Sequence, residues 1–151
     1  MEQSYPKSTP GYKMGSVQHQ KFVLTSAEVL ALNATPLELV PAPGAGKAIK
    51  VIDACGGVES YNSAAYATNV TLNIITDTAD QAQNSSAVLL TSTANRIMDI
   101  PKVAPSGATN KQIIENKSLK VQVATGNPAT GNSPIVLYVA YSIVDVNPTL
   151  E

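Results

Sequence analysis

"PIVLYVAYSIV", Pro134–Val144, is the stretch on which the reading of this chain turns. In an extended strand successive side chains point to opposite faces. Ile135, Leu137, Val139, Tyr141 and Ile143 then share one face, and Val136, Tyr138, Ala140 and Val144 share the other. Both faces are mostly apolar. A sheet with one face in water should alternate apolar and polar residues, so apolar residues on both sides call for a second covering layer. One face fills the core of a sandwich. The other, carrying Val136, Tyr138, Ala140 and Val144, is expected to meet a neighbouring subunit, the alternative cover being the chain's own arm.

Other segments alternate in the ordinary way. "NVTLNIIT" (69–76) sets Val70, Leu72 and Ile74 against Thr71 and Asn73. "SLKVQVA" (118–124) sets Leu119, Val121 and Val123 against Lys120 and Gln122. "LELV" (37–40), "KAIKVIDA" (47–54) and "RIMDI" (96–100) read as further strands. Between them stand turn-forming clusters at Gly56-Gly57, Asp77–Asn84, Pro105–Asn110 and Gly126–Pro134. "LTSAEVLALNATP" has Thr25 and Glu28 at the spacing of a capping box and Pro36 as a stop, which predicts a helix of one or two turns. Ser86 is placed to cap a second short helix through Thr91. The expected architecture is all-β: an antiparallel β-sandwich of seven or eight strands, jelly-roll-like, with one or two short helices. Residues 1–22, rich in Pro, Gly and polar residues, read as an extended N-terminal arm. Residues 23–147 read as the sandwich, and 148–151 as a C-terminal tail.

Composition narrows the function. Charged residues are only 14% of the 151, net charge is −1 and Arg96 is the sole arginine, so there is no basic face of the kind nucleic acid requires. No apolar run approaches the ~20 residues of a membrane-spanning helix. "MEQSYPKSTPGYKMG" lacks the apolar core of a secretory signal. Cys55 is the single cysteine, which excludes an intrachain disulfide and a cysteine metal cluster.

Catalytic motifs fail one by one. "VPAPGAGKAIKV" (Val40–Val51) has the Gly46-Lys47 pair of a phosphate-binding loop. However, Pro41 stands where the first glycine should be, Ala48 replaces the magnesium-binding hydroxyl, and a strand follows where the phosphate needs a helix N-terminus. The segment reads as a stiff Pro-Gly corner. His19, the only histidine, lies in the expected arm, and Cys55 ends an apolar strand, so a Cys55–His19 dyad is not favoured. Asp77 and Asp80 are too few for a calcium site. The scattered acids Glu28, Glu38, Asp53, Glu59, Asp99, Glu115 and Asp145 suggest no glycosidase pair. The sequons at Asn33, Asn69, Asn84 and Asn116 are expected by chance in so Ser/Thr-rich a chain. Tyr61 and Tyr66, in "GGVESYNSAAYATN", are the best candidates for a ligand or contact loop such as a glycan platform, and their alternative role is packing. No enzyme activity and no cofactor are expected.

"LTSAEVLALNATPLELVPAPGAGKAIKV" (24–51) and "GNPATGNSPIVLYVAYSIV" (126–144) resemble small structural proteins of tailed bacteriophages. The family pattern is a short "l-t-s-A-e-v-l-a-L-n-a-t-P" segment, a "P-G-a-G-k" corner, and a "g-n-p-a-t-G-d-s-p-l" loop before a final strand. The matching positions are Leu24–Pro36, Pro43–Lys47, Gly126–Pro134 and Ile135–Tyr141, about half the chain, with Asn132 where the family has Asp. The resemblance implies a jelly-roll-like homotrimer with a virion role: capsid decoration, head fibre, or a neck or tail fitting. It implies partners among other virion proteins such as the major capsid protein, and no catalytic residues. The alternative reading is a glycan-binding module of a phage tail or fibre.

Overall fold

A computed structural model of the chain describes residues 13–77, 79–83, 88–103 and 113–146. Eight strands and one helix follow in the order β1 (Lys13–Leu24), α1 (Ser26–Ala31), β2 (Leu37–Val40), β3 (Lys47–Val58), β4 (Leu72–Thr76), β5 (Ala79–Gln83), β6 (Arg96–Asp99), β7 (Leu119–Val123) and β8 (Ile135–Asp145). They form two four-stranded sheets with the orders β1-β8-β3-β6 and β2-β7-β4-β5. Every pairing is antiparallel. The chain crosses between the sheets repeatedly, and this strand order is that of a jelly roll.

The core lies between the sheets. Ile135, Leu137, Val139 and Tyr141 of β8 enter it together with Ile49 and Val51 of β3, Leu72 and Ile74 of β4, and Leu119, Val121 and Val123 of β7. The odd-numbered face of β8 therefore points inward, as the alternation requires. Helix α1 adds Val29, with Leu32 just beyond its end, to the same core. Its capping box is formed: the Glu28 amide donates to Thr25 Oγ1 at 3.3 Å, and the Thr25 amide donates to Glu28 Oε2 at 2.7 Å. The hydrogen bonds that the Thr25 amide and hydroxyl donate to Glu28 Oε2 hold this carboxyl below its usual range. A box of this kind stabilises a short helix by about 1 kcal/mol.

Four expectations need correction. The arm predicted over 1–22 is a sheet strand from residue 13 onward, because β1 pairs with β8 along nearly its whole length. Residues 1–12 and the predicted tail 148–151 lie outside the described residues. The Gly56-Gly57 pair is no turn but the end of β3, opposite Met98 and Ile97 of β6. A Cβ on Gly57 would stand 1.9 Å from the Arg96 carbonyl oxygen, so the glycine permits a close approach of two backbones. The Asp77–Asn84 cluster contains β5. Finally, Val88–Leu90 form a turn rather than a helix, and Ser86 lies outside the described residues.

Candidate interaction surface

The outer face of the β1-β8-β3-β6 sheet is laid out in rows by strand register. The first row is Val23, Val136, Gly57 and Ile97; the second is Lys21, Tyr138, Cys55 and Asp99. The third carries His19, Ala140 and Asp53, and a fourth Val17, Ser142 and Lys50. Val23 is 58% exposed, and Val17 and Ile97 are each 44% exposed. The two margins of this face therefore hold three of the four large apolar side chains exposed among the described residues, the fourth being Val88. Exposed apolar groups collected on one face mark an interaction surface more often than scattered ones do.

The four residues singled out on β8 differ in their availability. Tyr138 and Ala140 are half-buried on the outer face, whereas Val136 is 3% and Val144 0% exposed. The last two therefore offer almost no surface of their own. Sequence reading singled out the centre of the face and missed its margins, Val17, Val23 and Ile97. Val17 stands among polar neighbours and Val23 between Phe22 and Leu24 in "GSVQHQKFVL", and neither setting signals that a sheet would place them beside β8.

Polar groups bridge the second row. The Lys21 ammonium lies 2.7 Å from Glu59 Oε2 and 5.3 Å from the centre of the Tyr138 ring, while the Tyr138 hydroxyl donates to Glu59 Oε1. Glu59 is held below the usual carboxylate range by its hydrogen bonds to Lys21 and Tyr138, and Lys21 is held above the usual ammonium range by Glu59. Beneath this bridge a shallow depression of about 310 Å³ is lined by His19, Asp53, Cys55, Tyr138 and Ala140 among others. Burial raises the Cys55 thiol, and the nearby Asp53 and Asp99 raise it further. A thiol shifted that way is a poor nucleophile. His19 and Cys55 both line this depression, on strands that β8 separates, and the electrostatics there oppose thiolate formation.

The opposite feature of the molecule is a set of loops welded by side chains. Asn132 Oδ1 accepts from the Ser63 and Ala64 amides at 3.2 and 3.0 Å, and its Nδ2 donates to Ser63 Oγ at 2.8 Å. Asn127 Oδ1 accepts from the Asn33 and Ala34 amides at 2.9 and 3.0 Å, and Asn69 Nδ2 donates to the Asn127 carbonyl at 3.1 Å. The amide of Asn132 both accepts and donates here, which an ionised aspartate could not do. Tyr66 belongs to this weld. It is 2% exposed, and its hydroxyl donates to the Ser133 carbonyl at 2.6 Å. Burial pushes its phenol up to about 12. Tyr61 is half-buried against the core. The exposed aromatic pair expected of Tyr61 and Tyr66 is therefore not formed.

The Pro-Gly corner is also explained. Its Gly44 and Gly46 amides donate to Asn116 Oδ1 at 3.0 Å and Glu115 Oε1 at 2.5 Å. A carboxylate thus occupies the position where an anion would have to bind, and β3 follows directly. Among the described residues no group of three or more His, Cys, Asp or Glu side chains is placed to hold a metal ion. No helix among them is long and apolar enough to cross a membrane.

No family model and no curated protein sequence matches the chain. Two solved structures are similar to it in fold. A chain of the cyanophage Pam1 capsid asymmetric unit is 14% identical, with a TM-score of 0.48 over 94% of this chain and 93% of that one. A chain of the capsid of Ralstonia phage GP4 is 18% identical, with a TM-score of 0.44 over 97% of this chain and 93% of that one.

Proposed function

We propose that the protein is a structural, non-enzymatic subunit of a tailed-phage particle, self-associating as a trimer and decorating or stabilising the capsid or forming a head, neck or tail fitting. The observation that carries this reading is the outer face of the β1-β8-β3-β6 sheet, which gathers Val17, Val23 and Ile97 at its exposed margins. The residues that resemble phage structural proteins support it, and they have a physical role. "GNPATGNSP" supplies Asn127, Asn132 and Ser133, whose hydrogen bonds weld the loops. Welded loops suit a subunit that must keep its shape, and weak contacts repeated over a particle gain from avidity. Residues 1–12 are the segment left to serve as an anchoring arm.

Mass spectrometry of density-purified virions from the phage that encodes the chain tests the reading. The chain is expected in copy numbers comparable to other structural proteins, and its absence from purified particles would overturn the proposal. Deletion of residues 2–12 is expected to abolish attachment to the particle while leaving the fold intact. Attachment that survived the deletion would remove the arm assignment.

A further inference from the structure

We infer that the two margins of the β1-β8-β3-β6 sheet are complementary halves of one contact, made head to tail between copies of this chain around a three-fold axis parallel to the strands. The partner, a second copy, is taken from the proposed trimer. What the structure adds is which residues meet.

The register sets the levels. Val23 on β1 and Ile97 on β6 lie in the same row, with Val136 and Gly57 between them. Lys21 on β1 and Asp99 on β6 lie together in the next row, with Tyr138 and Cys55 between them. An axis parallel to the strands keeps rows level from copy to copy. The β1 margin of one copy then meets the β6 margin of the next with Val23 against Ile97 and Lys21 against Asp99. Apolar meets apolar and cation meets anion in consecutive rows. Among the described residues neither Asp99 nor Asp53 has a cation within ion-pair distance. Lys21 is held by Glu59 in an exposed pair, which exchanges or shares partners at little cost.

The width of the sheet selects the symmetry. Four strands at ~4.8 Å spacing span roughly 15 Å, so three such faces set margin to margin stand about 4 Å from their common axis. That is close to half of the ~10 Å at which sheets pack face to face, so Tyr138, Ala140 and their neighbours can fill the axis. Four faces would stand about 7 Å away and leave an open channel. A head-to-tail contact closes into a ring without using the same patch twice.

Sedimentation velocity on the full chain at tens of micromolar tests this. Wild type is expected at three times the 15.7 kDa chain mass. Val23→Lys and Ile97→Glu, each alone, are expected to sediment as single chains. Both side chains are exposed in the single chain, so the far-ultraviolet circular dichroism spectrum should be unchanged, while the melting temperature should fall as the trimer is lost. The double variant Val23→Lys/Ile97→Glu is expected to regain the trimer, because every junction then pairs the new cation with the new anion. Trimers that survive both single changes, or a double variant that stays monomeric, would overturn the inference. So would a monomeric wild type, which leaves the virion reading to be judged on particle content alone. A wild-type trimer absent from purified virions would overturn that reading and leave this contact standing.

Discussion

The two sheets present different outer faces. On the β2-β7-β4-β5 sheet the register sets Glu38 opposite Lys120, and Gln122, Asn73 and Gln83 in one row. On the β1-β8-β3-β6 sheet the margins carry Val17, Val23 and Ile97, and the central β8 is mostly apolar on both faces, with Ser142 and the terminal Asp145 as exceptions. The first sheet has the polar outside that alternation predicts, although its central strand β4 is buried at all five positions. The second sets apolar side chains along β8 and at its margins, with Lys21, Asp99, His19, Asp53 and Lys50 among them. The difference shows that alternation reports which way a side chain points, and not whether it meets water.

The sharpest way to break the comparison is a charge on each outer face. Val136→Asp places a carboxylate at a site 3% exposed between Val23 and Gly57, and should cost about 3 kcal/mol or more. Gln122→Asp, on the polar face, should stay within about 0.5 kcal/mol of wild type. Urea unfolding of both variants measures the contrast, and equal losses would mean that the two faces do not differ. Gly57→Ala should follow, at about 2 kcal/mol, because its Cβ would strike the Arg96 carbonyl and push β6 away. Amide exchange should then be faster in β6 and unchanged in β5.

Asn73 tests the other sheet. Its Oδ1 is buried without a hydrogen-bond partner, and unmet polar groups in such sites destabilise. Asn73→Leu should therefore raise stability by about 1 kcal/mol, read as a higher urea midpoint at unchanged slope. The smallest effect concerns the Lys21–Tyr138–Glu59 bridge. The folded pKa of Glu59 is depressed below the usual carboxylate range, so its contribution is present above the unfolded value and is lost as pH falls through the depressed one. Tyr138→Phe should move the Glu59 carboxyl titration, followed by NMR, upward toward the ordinary range. An unmoved titration would show that the hydroxyl contributes nothing to the bridge.

The strands that the sequence exposes are those with apolar side chains at period two. Leu119, Val121 and Val123 are all buried as their spacing predicts, and the helix between Thr25 and Pro36 forms with its capping box. The missed strands are β1 and β5. "VQHQK" and "ADQAQ" contain little to bury, and both strands lie at sheet margins. What holds β1 extended is its ladder to β8, more than a hundred residues away in the chain. The burial of Tyr66 was hidden for a related reason. "SYNSAAYATN" is polar around it, and only the neighbouring loop, through Gly131 and Ser133, closes over its ring.

By itself the sequence determined the all-β class, the inward face of β8, the capped helix and the Pro-Gly corner. Each follows from side-chain periodicity or turn chemistry over a few residues. Strand order, the inclusion of β1 and β5, and the burial of Tyr66 were decided only by tertiary structure. Backbone hydrogen bonds in a sheet can join any two segments, and a polar margin strand carries no local mark of the partner it will find. The complementary margins of the outer face are a consequence of that order, since register alone sets Val23 level with Ile97 and Lys21 level with Asp99.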